Sequence, residues 1–169
     1  MQQSEDATFA ELLEHLYAAD TAPDGWANFL DRFAAIHPTG GASMYLLDPQ
    51  ARDYPLLVAD NTRSTTDHIA TYREHYGFIN PWLPHLPGHP RGYVSHSSEM
   101  IVQDEMKETT FFNEWIAPQG YDYCLGTVLS YDTNRIMVMS MMVGESTSDL
   151  DAATRRMLTR LAPHAERVA

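Results

Sequence analysis

One segment near the C-terminus constrains the fold more than any other part of the chain. Residues 136–143 form an apolar stretch that a single polar side chain, Ser140, interrupts. A strand that is apolar on both faces has to be covered on both faces, which predicts a central strand between two layers. Residues 121–131 have the same strand-like character, and the sequence Asp-Thr-Asn at 132–134 predicts a β-hairpin between the two segments.

The rest of the chain alternates between strand and helix patterns. Further strands are predicted at residues 42–48 and 55–60, joined by a turn at 48–50, and a short strand at 93–95. This order of elements favours hairpins over parallel crossovers. It predicts an α+β fold, an α-β-α sandwich with a central, mostly antiparallel five-stranded sheet, in one domain that spans residues 1–169.

Helix signals separate these strands. Thr8 and Glu11 fit a capping box for a first helix, and Pro23 is placed for the first turn of a second one. The remaining helices are predicted at residues 65–76, after Ser97 or Ser98, at 110–116, and from Ser148 onward.

Prolines recur every third residue between positions 81 and 90, at 81, 84, 87 and 90. This is the period of polyproline II, and it predicts an ordered, extended loop that no helix or central strand would tolerate. Trp82, Leu83 and Leu86 lie between the prolines. These apolar side chains favour a lid packed on its own domain over a recognition motif for an external aromatic groove.

The composition excludes several classes of protein. The chain has 169 residues, 44% of them hydrophobic, and 23 acidic against 11 basic residues give a net charge of −12. Such a field repels phosphate, so the chain by itself is a poor nucleic-acid binder. An acidic N-terminus without an apolar core segment, no apolar run long enough for a membrane span, and a single Cys124 predict a cytoplasmic protein.

No pattern of catalytic or metal-binding residues is present. The eight histidines lack metal-ligand spacing, because Pro87 separates His85 from His89 and no carboxylate or cysteine accompanies His68 and His75. Cys124 lies in an apolar strand without a neighbouring base. We therefore expect no enzyme, no metal and no cofactor, although a haem held by one histidine would leave no motif.

Aromatic and methionine side chains gather in and beside the strands. Residues 137–142 contain four methionines, which either line an adaptable cavity or simply fill the core. The aromatic residues include Tyr45, Tyr72, Tyr76, Trp82 and Trp115.

Three blocks of the sequence resemble one family of regulators. Residues 72–82 (YREHYGFINPW) resemble the Tyr…Tyr…Asp-Pro segment of LuxR-type autoinducer-binding domains. Residues 110–120 (TFFNEWIAPQG) are similar to a block in the GAF/PAS-like N-terminal sensor regions of LuxR-family helix-turn-helix regulators. Residues 161–167 (LAPHAER) resemble the helix that leads from such sensors to the DNA-binding domain.

The resemblance implies a dimeric α-β-α sandwich whose sheet and helix layer enclose a small-molecule pocket. By position, Tyr72, Tyr76 and Asn80 match the pocket tyrosines and the ligand-binding Asp, which is here a neutral amide. The expected ligand-binding residues are Tyr45, Tyr72, Tyr76, Asn80, Trp82, Trp115, Met137, Met139 and Met141.

The resulting hypothesis is a small-molecule-sensing regulatory domain of a LuxR-type transcription regulator. It would bind an apolar or amphipathic ligand, form a homodimer and relay the signal through its C-terminal helix. It would contact DNA only through a helix-turn-helix domain, which these residues do not include. The alternative is a stand-alone interaction protein that regulates a partner by heterodimerisation without a ligand.

Overall fold

The computed structural model describes residues 2–47, 56–61, 66–132, 135–145 and 148–168. Five strands join one sheet: β1 Gly41–Leu47, β2 Leu56–Asn61, β3 Val94–His96, β4 Tyr123–Asp132 and β5 Arg135–Val143. The helices are α1 Gln2–Ala18, α2 Gly25–Ala34, α3 Thr66–Glu74, α4 Gln103–Lys107 and α5 Ser148–Val168.

The sheet has the order β2-β1-β5-β4-β3, and each neighbouring pair is antiparallel. β5 is therefore central, as its two apolar faces require. Four of the strands have six residues or more, and β3, at one edge, has only three. The predicted α+β class and the antiparallel sheet are confirmed.

Successive residues of β5 point to opposite faces of the sheet, and each face has its own layer. On one face, which we call the helix face, Met137, Met139, Met141 and Val143 pack against helices α1, α2 and α5. Large side chains from these helices fill this core without gaps to solvent: Leu12, Leu16, Phe29, Leu30, Phe33, Leu158 and Leu161.

The opposite face, which we call the site face, carries Ile136, Val138, Ser140 and Met142 of β5. It is covered by short elements rather than by long helices. These are α3, two 3₁₀ turns (Tyr76–Ile79 and Leu83–Gly88), α4 and a single π-helical turn (Phe112–Ile116). The sheet thus separates a regular helical layer from an irregular one.

Two predicted helix starts are wrong in detail. Thr8 lies in the middle of α1, where its hydroxyl donates to the carbonyl of Ser4 four residues earlier, so it does not cap the helix. Pro23 precedes α2, whose N-cap is Asp24 in a left-handed conformation (φ 56°). The capping-box pattern failed because α1 extends further toward the N-terminus than the apolar stripe alone indicates.

The proline-rich segment is not extended, contrary to the prediction. Leu83–Gly88 forms a 3₁₀ helix, with Pro84 in the first turn, where no N–H donor is needed. The amide of His85 donates to Trp82, and that of His89 donates to Leu86. A three-residue period fits a 3₁₀ helix as well as polyproline II, so the period alone does not separate the two conformations.

Among the other predicted elements, one helix has different bounds, and two turns cannot be compared with the structure. The helix expected after Ser97 is split into a 3₁₀ turn, Ser97–Glu99, and the short α4. Predicted turn residues 48–50, and 133–134 of the β4–β5 turn, lie outside the described residues. Across the described ranges, no helix is both long and apolar enough to cross a membrane.

Candidate functional site

An aromatic wall faces the sheet from the irregular layer. The rings of Tyr72 on α3 and Trp115 in the π-helical turn are 4.7 Å apart between centroids. Phe111 stacks on Trp115 at 5.5 Å and meets the edge of Trp82 at 5.6 Å. Four aromatic side chains from three separate segments therefore form one continuous apolar surface, which also packs on Met142 of β5.

Asn80 fixes the geometry of this wall. Its Oδ1 accepts the backbone N–H of Trp82 at 2.9 Å, and its Nδ2 donates to the hydroxyl of Tyr72 at 3.0 Å. An Asx side chain before Pro81 closes the local turn in this way, which brings Trp82 back beneath α3. The buried amide thus joins two of the predicted site residues through their hydrogen bonds.

Small residues line the sheet opposite the aromatic wall. Ser43 of β1, Ser140 of β5 and Gly126 of β4 are direct cross-strand neighbours on the site face. The row continues to Ser95 on the edge strand β3. The hydroxyls of Ser43 and Ser140 are 2.9 Å apart. The side chains along this row are all small, so the sheet projects little toward the aromatic wall there. We call this row the floor of the site.

The accessibility of these strands differs between the two faces. On the helix face, Met44 and Leu125 have 0% exposure. On the site face of the same strands, Ser43, Tyr45 and Gly126 retain part of their accessible surface. Around this row of small residues, the sheet is therefore more accessible on the site face than on the helix face.

Tyr45 and Cys124 add polar atoms to this floor. Burial raises the pKa of the Tyr45 phenol well above its usual value, and the nearby Tyr72 and Cys124 act in the same direction, whereas a hydrogen bond with Ser140 opposes them. Burial also raises the pKa of the Cys124 thiol to about 12, against a hydrogen bond with Ser140. Both groups are therefore uncharged at neutral pH, and Cys124 is a poor nucleophile.

Trp82 contributes a hydrogen-bond donor that is not used within the protein. Its indole Nε1 is fully buried and has no hydrogen-bond partner among the described residues. A buried donor without an acceptor costs about 1–3 kcal/mol. Native structures seldom contain such groups without a reason, and an acceptor on a bound molecule would satisfy this donor.

Tyr76 stands at the edge of the site. Its hydroxyl donates to Oε2 of Glu114 at 3.0 Å. That hydrogen bond, with smaller contributions from burial and from the charge of Glu114, raises the pKa of Tyr76. Its neighbour His75 meets its ring edge to face, with the ring centroids 4.9 Å apart.

The structure separates the nine predicted site residues into two groups. Tyr72, Trp82 and Trp115 lie in one cluster with Tyr76 packed against it, Asn80 is bonded to two of them, and Tyr45 faces the same layer. The three methionines Met137, Met139 and Met141 belong to the helix-face core instead. The prediction that they line the same site is wrong, because alternate strand residues point to opposite faces and the other set faces the aromatic wall.

Sequence reasoning missed Ser43, Gly126 and Ser140 as the floor of the site. Ser140 carried a usable signal, because a polar residue inside an otherwise apolar central strand marks the face on which a polar group is tolerated. Within the described part of the chain, no group of three or more His, Cys, Asp or Glu side chains is placed to hold a metal ion.

This combination of an antiparallel sheet, a helical layer and an aromatic layer has counterparts among solved structures. No family model matches the sequence, and no curated protein matches it. Solved structures do match across almost the whole chain: the fold is that of ligand-binding domains of LuxR-type regulators.

Three of these solved structures illustrate the similarity. The LBD domain of VqsR from Pseudomonas aeruginosa has a TM-score of 0.68 at 16% identity, covering 95% of this chain and 96% of that one. CepR2 from Burkholderia cenocepacia, an N-acylhomoserine lactone dependent LuxR family transcription factor, has 0.69 at 16%, covering 96% and 95%. Escherichia coli SdiA has 0.58 at 13%, covering 93% and 66%. The resemblance to autoinducer-binding domains of LuxR-type regulators is thereby confirmed at the level of the fold.

Proposed function

We propose that this chain is the sensing domain of a LuxR-type transcription regulator and that it binds a small, uncharged, amphipathic molecule. The ligand lies between the site face and the aromatic wall formed by Tyr72, Trp82, Phe111 and Trp115. One observation carries this proposal: a floor of small residues faces a wall of aromatic rings, and Ser43, Tyr45 and Gly126 on that floor keep part of their accessible surface.

The polar groups of the site define the chemistry of the ligand. Ser43, Tyr45 and Ser140 offer hydroxyls that donate or accept, whereas the Trp82 indole only donates. The groups on this floor are uncharged at neutral pH. An ionised ligand would lose its hydration without gaining a counter-charge, so a neutral molecule with an acceptor such as a carbonyl and an apolar body fits best.

The relay and the partners belong to the same proposal. β4 and β5 carry the site floor on one face and contact the helical layer, including α5, on the other. Ordering the aromatic layer around a ligand would change the packing beneath β5 and so the position of α5. We infer a cytoplasmic homodimer that contacts DNA through an attached helix-turn-helix domain.

Two measurements on the purified protein test the binding. Native mass spectrometry reports a retained ligand as added mass, and it reports the number of subunits in the same spectrum. Trp82 and Trp115 stand in the wall, so their fluorescence follows a titration. Because CepR2 is described as dependent on N-acylhomoserine lactone, short-chain and long-chain members of that class are the first probes.

A pair of neighbouring substitutions makes the test specific to one face. Ser140→Leu fills the floor of the site and is expected to abolish added mass and fluorescence change. Met141→Leu, one residue later on the helix face, keeps volume and polarity and is expected to leave both unchanged. Equal binding by Ser140→Leu and the original chain would place the ligand elsewhere and overturn the proposal.

A further inference from the structure

Two histidines in different parts of the chain adopt the same local structure. His37 follows α2, and its Nδ1 accepts the backbone N–H of Thr39 at 3.2 Å, with the Thr39 hydroxyl 3.1 Å away. His96 ends β3, and its Nδ1 accepts the backbone N–H of Ser98 at 3.2 Å, with the Ser98 hydroxyl 2.7 Å away. In both turns the ring is held by the residue two positions later, and Nδ1 has to be free of a proton.

His37 lies beside a carboxylate of α5, and the charge of the same carboxylate also affects His96. Nε2 of His37, whose side chain has no exposed surface, is 3.9 Å from Oδ1 of Asp151 in the first turn of α5. The charge of Asp151 also raises the pKa of His96. Asp151 thus places His37 against the start of the longest helix in the described chain, and its charge also acts on the imidazole of His96.

These turns connect the helical layer to the ends of the strands. The Thr39 hydroxyl that approaches His37 also accepts the backbone N–H of Gly144, the residue directly after β5. On the other side, the rings of His96 and Tyr123 of β4 are 5.1 Å apart and tilted by 46°. His37 therefore contacts α5 through Asp151 and the end of β5 through Thr39. His96 contacts β4 directly, and the 3₁₀ turn that it caps is paired with α5 through Glu99 and Arg155, 2.6 Å apart.

We propose that the turns at His37 and His96 hold the first turn of α5 in place only while both imidazoles are neutral. Mild acidification would then loosen this helix from the sheet. Protonation converts each Nδ1 from an acceptor into a donor. The protonated Nδ1 can no longer accept a hydrogen bond from the N–H of Thr39 or Ser98, and the two N–H groups repel each other. The turn that holds the ring then opens. The proposal does not rest on the proposed ligand.

The surrounding charges set the direction of the effect. For His37, burial lowers the pKa below 6.5 and Asp151 opposes this. For His96, burial again lowers the pKa; Asp151 and then Glu99 oppose burial, and Arg155 adds to it. A histidine whose folded-state pKa is depressed binds protons more weakly when folded, so its contribution to stability is present above pH 6.5 and lost as the pH falls toward the folded-state pKa.

Asparagine variants isolate this contribution. In His37→Asn with His96→Asn, the side-chain oxygen can still accept the N–H two residues later, as in an Asx turn, but it does not titrate. Urea unfolding of the full chain is followed at several pH values between about 5 and 7, where histidine titrates. The original chain is expected to show a several-fold rise in its unfolding constant toward acid, and the double variant a much smaller one.

Two controls keep the outcome decisive. His85→Asn changes an exposed histidine of the 3₁₀ turn and is expected to leave the original pH dependence intact. If the double variant does not fold, nuclear magnetic resonance of the original chain replaces it, because the amides of Asp151 and its neighbours should shift with the same midpoint as the two imidazoles. An unchanged pH dependence in the double variant, or α5 amides that ignore the imidazole titration, would overturn the proposal.

Discussion

At the scale of single residues, the clearest contrast is between two threonines. Thr127 on β4 is 2% exposed and lies on the helix face beside Met139. Within the described ranges its hydroxyl has no hydrogen-bond partner. Thr39 has a hydroxyl that accepts from Gly144 and approaches His37. The same chemical change at these positions should therefore have opposite effects on stability.

We expect Thr127→Val to raise the free energy of unfolding by about 1 kcal/mol or more. The valine keeps the shape and the strand preference of threonine and removes a buried, unpaired hydroxyl, whose desolvation costs about 1–3 kcal/mol. Urea denaturation at neutral pH measures the change. Thr39→Val is the matched control and should lower the free energy of unfolding, because it leaves the N–H of Gly144 without an acceptor. Destabilisation by both variants would contradict this account of Thr127.

At the scale of elements, Tyr131 of β4 holds the proline-rich turn. Its hydroxyl lies 2.8 Å from the carbonyl oxygen of Leu86 and is also hydrogen-bonded to that of His89. Leu86 packs under the turn against the site face. One phenol thus connects the end of the hairpin to the segment that follows the aromatic wall.

Tyr131→Phe should loosen this turn without unfolding the domain. The loss of one hydrogen bond is worth about 1 kcal/mol, and local opening of a short segment needs less energy than global unfolding. Hydrogen exchange measured by mass spectrometry should show faster exchange in peptides that cover residues 83–89. Tyr17→Phe removes a comparable hydroxyl contact, to His164, and should leave that segment unchanged. Equal exchange in Tyr131→Phe and the original chain would show that packing alone holds the turn.

Local sequence patterns predicted most helices and strands, because an element that buries one face has apolar residues at regular spacing. The β4–β5 hairpin and helix α5 are examples: their apolar spacing matches their burial. The proline-rich segment was misassigned because two conformations share a period of three. Hydrogen bonds from Tyr131, distant in sequence, help to hold the observed one.

The candidate site was predicted only in part, for a different physical reason. Tyr72, Asn80 and Trp82 were predicted from one short segment that resembles LuxR-type autoinducer-binding domains, and the structure joins them through hydrogen bonds. The sequence does not show which residues of β5 point to which face of the sheet. Methionines at 137, 139, 141 and 142 are apolar whichever face they occupy, so no alternation of polar and apolar residues marks the two faces. Pairing with Ser43 and Gly126 decides which residues face the site, and a single sequence does not contain that pairing.

At the scale of the whole molecule, the two layers differ in how the sheet is covered. The helix face packs large aliphatic and aromatic side chains at close to zero exposure. The site face carries small residues beneath short turns that are held by individual hydrogen bonds, such as those of Asn80 and Tyr131. The helical layer thus supplies stability, and the irregular layer can rearrange around a ligand at little cost to the fold.

The net charge of −12 makes a specific prediction about self-association. Two copies of such an acidic domain repel each other, and this repulsion has to be overcome by the surface that the copies bury. Salt screens the repulsion: the Debye length falls from about 30 Å at 0.01 M to about 10 Å at 0.1 M ionic strength. We therefore expect the dimer dissociation constant, measured by sedimentation, to decrease as salt increases over this range. Tighter association at low salt would indicate that opposite charges on the two copies drive dimerisation, and a monomer at every ionic strength would contradict the inferred homodimer.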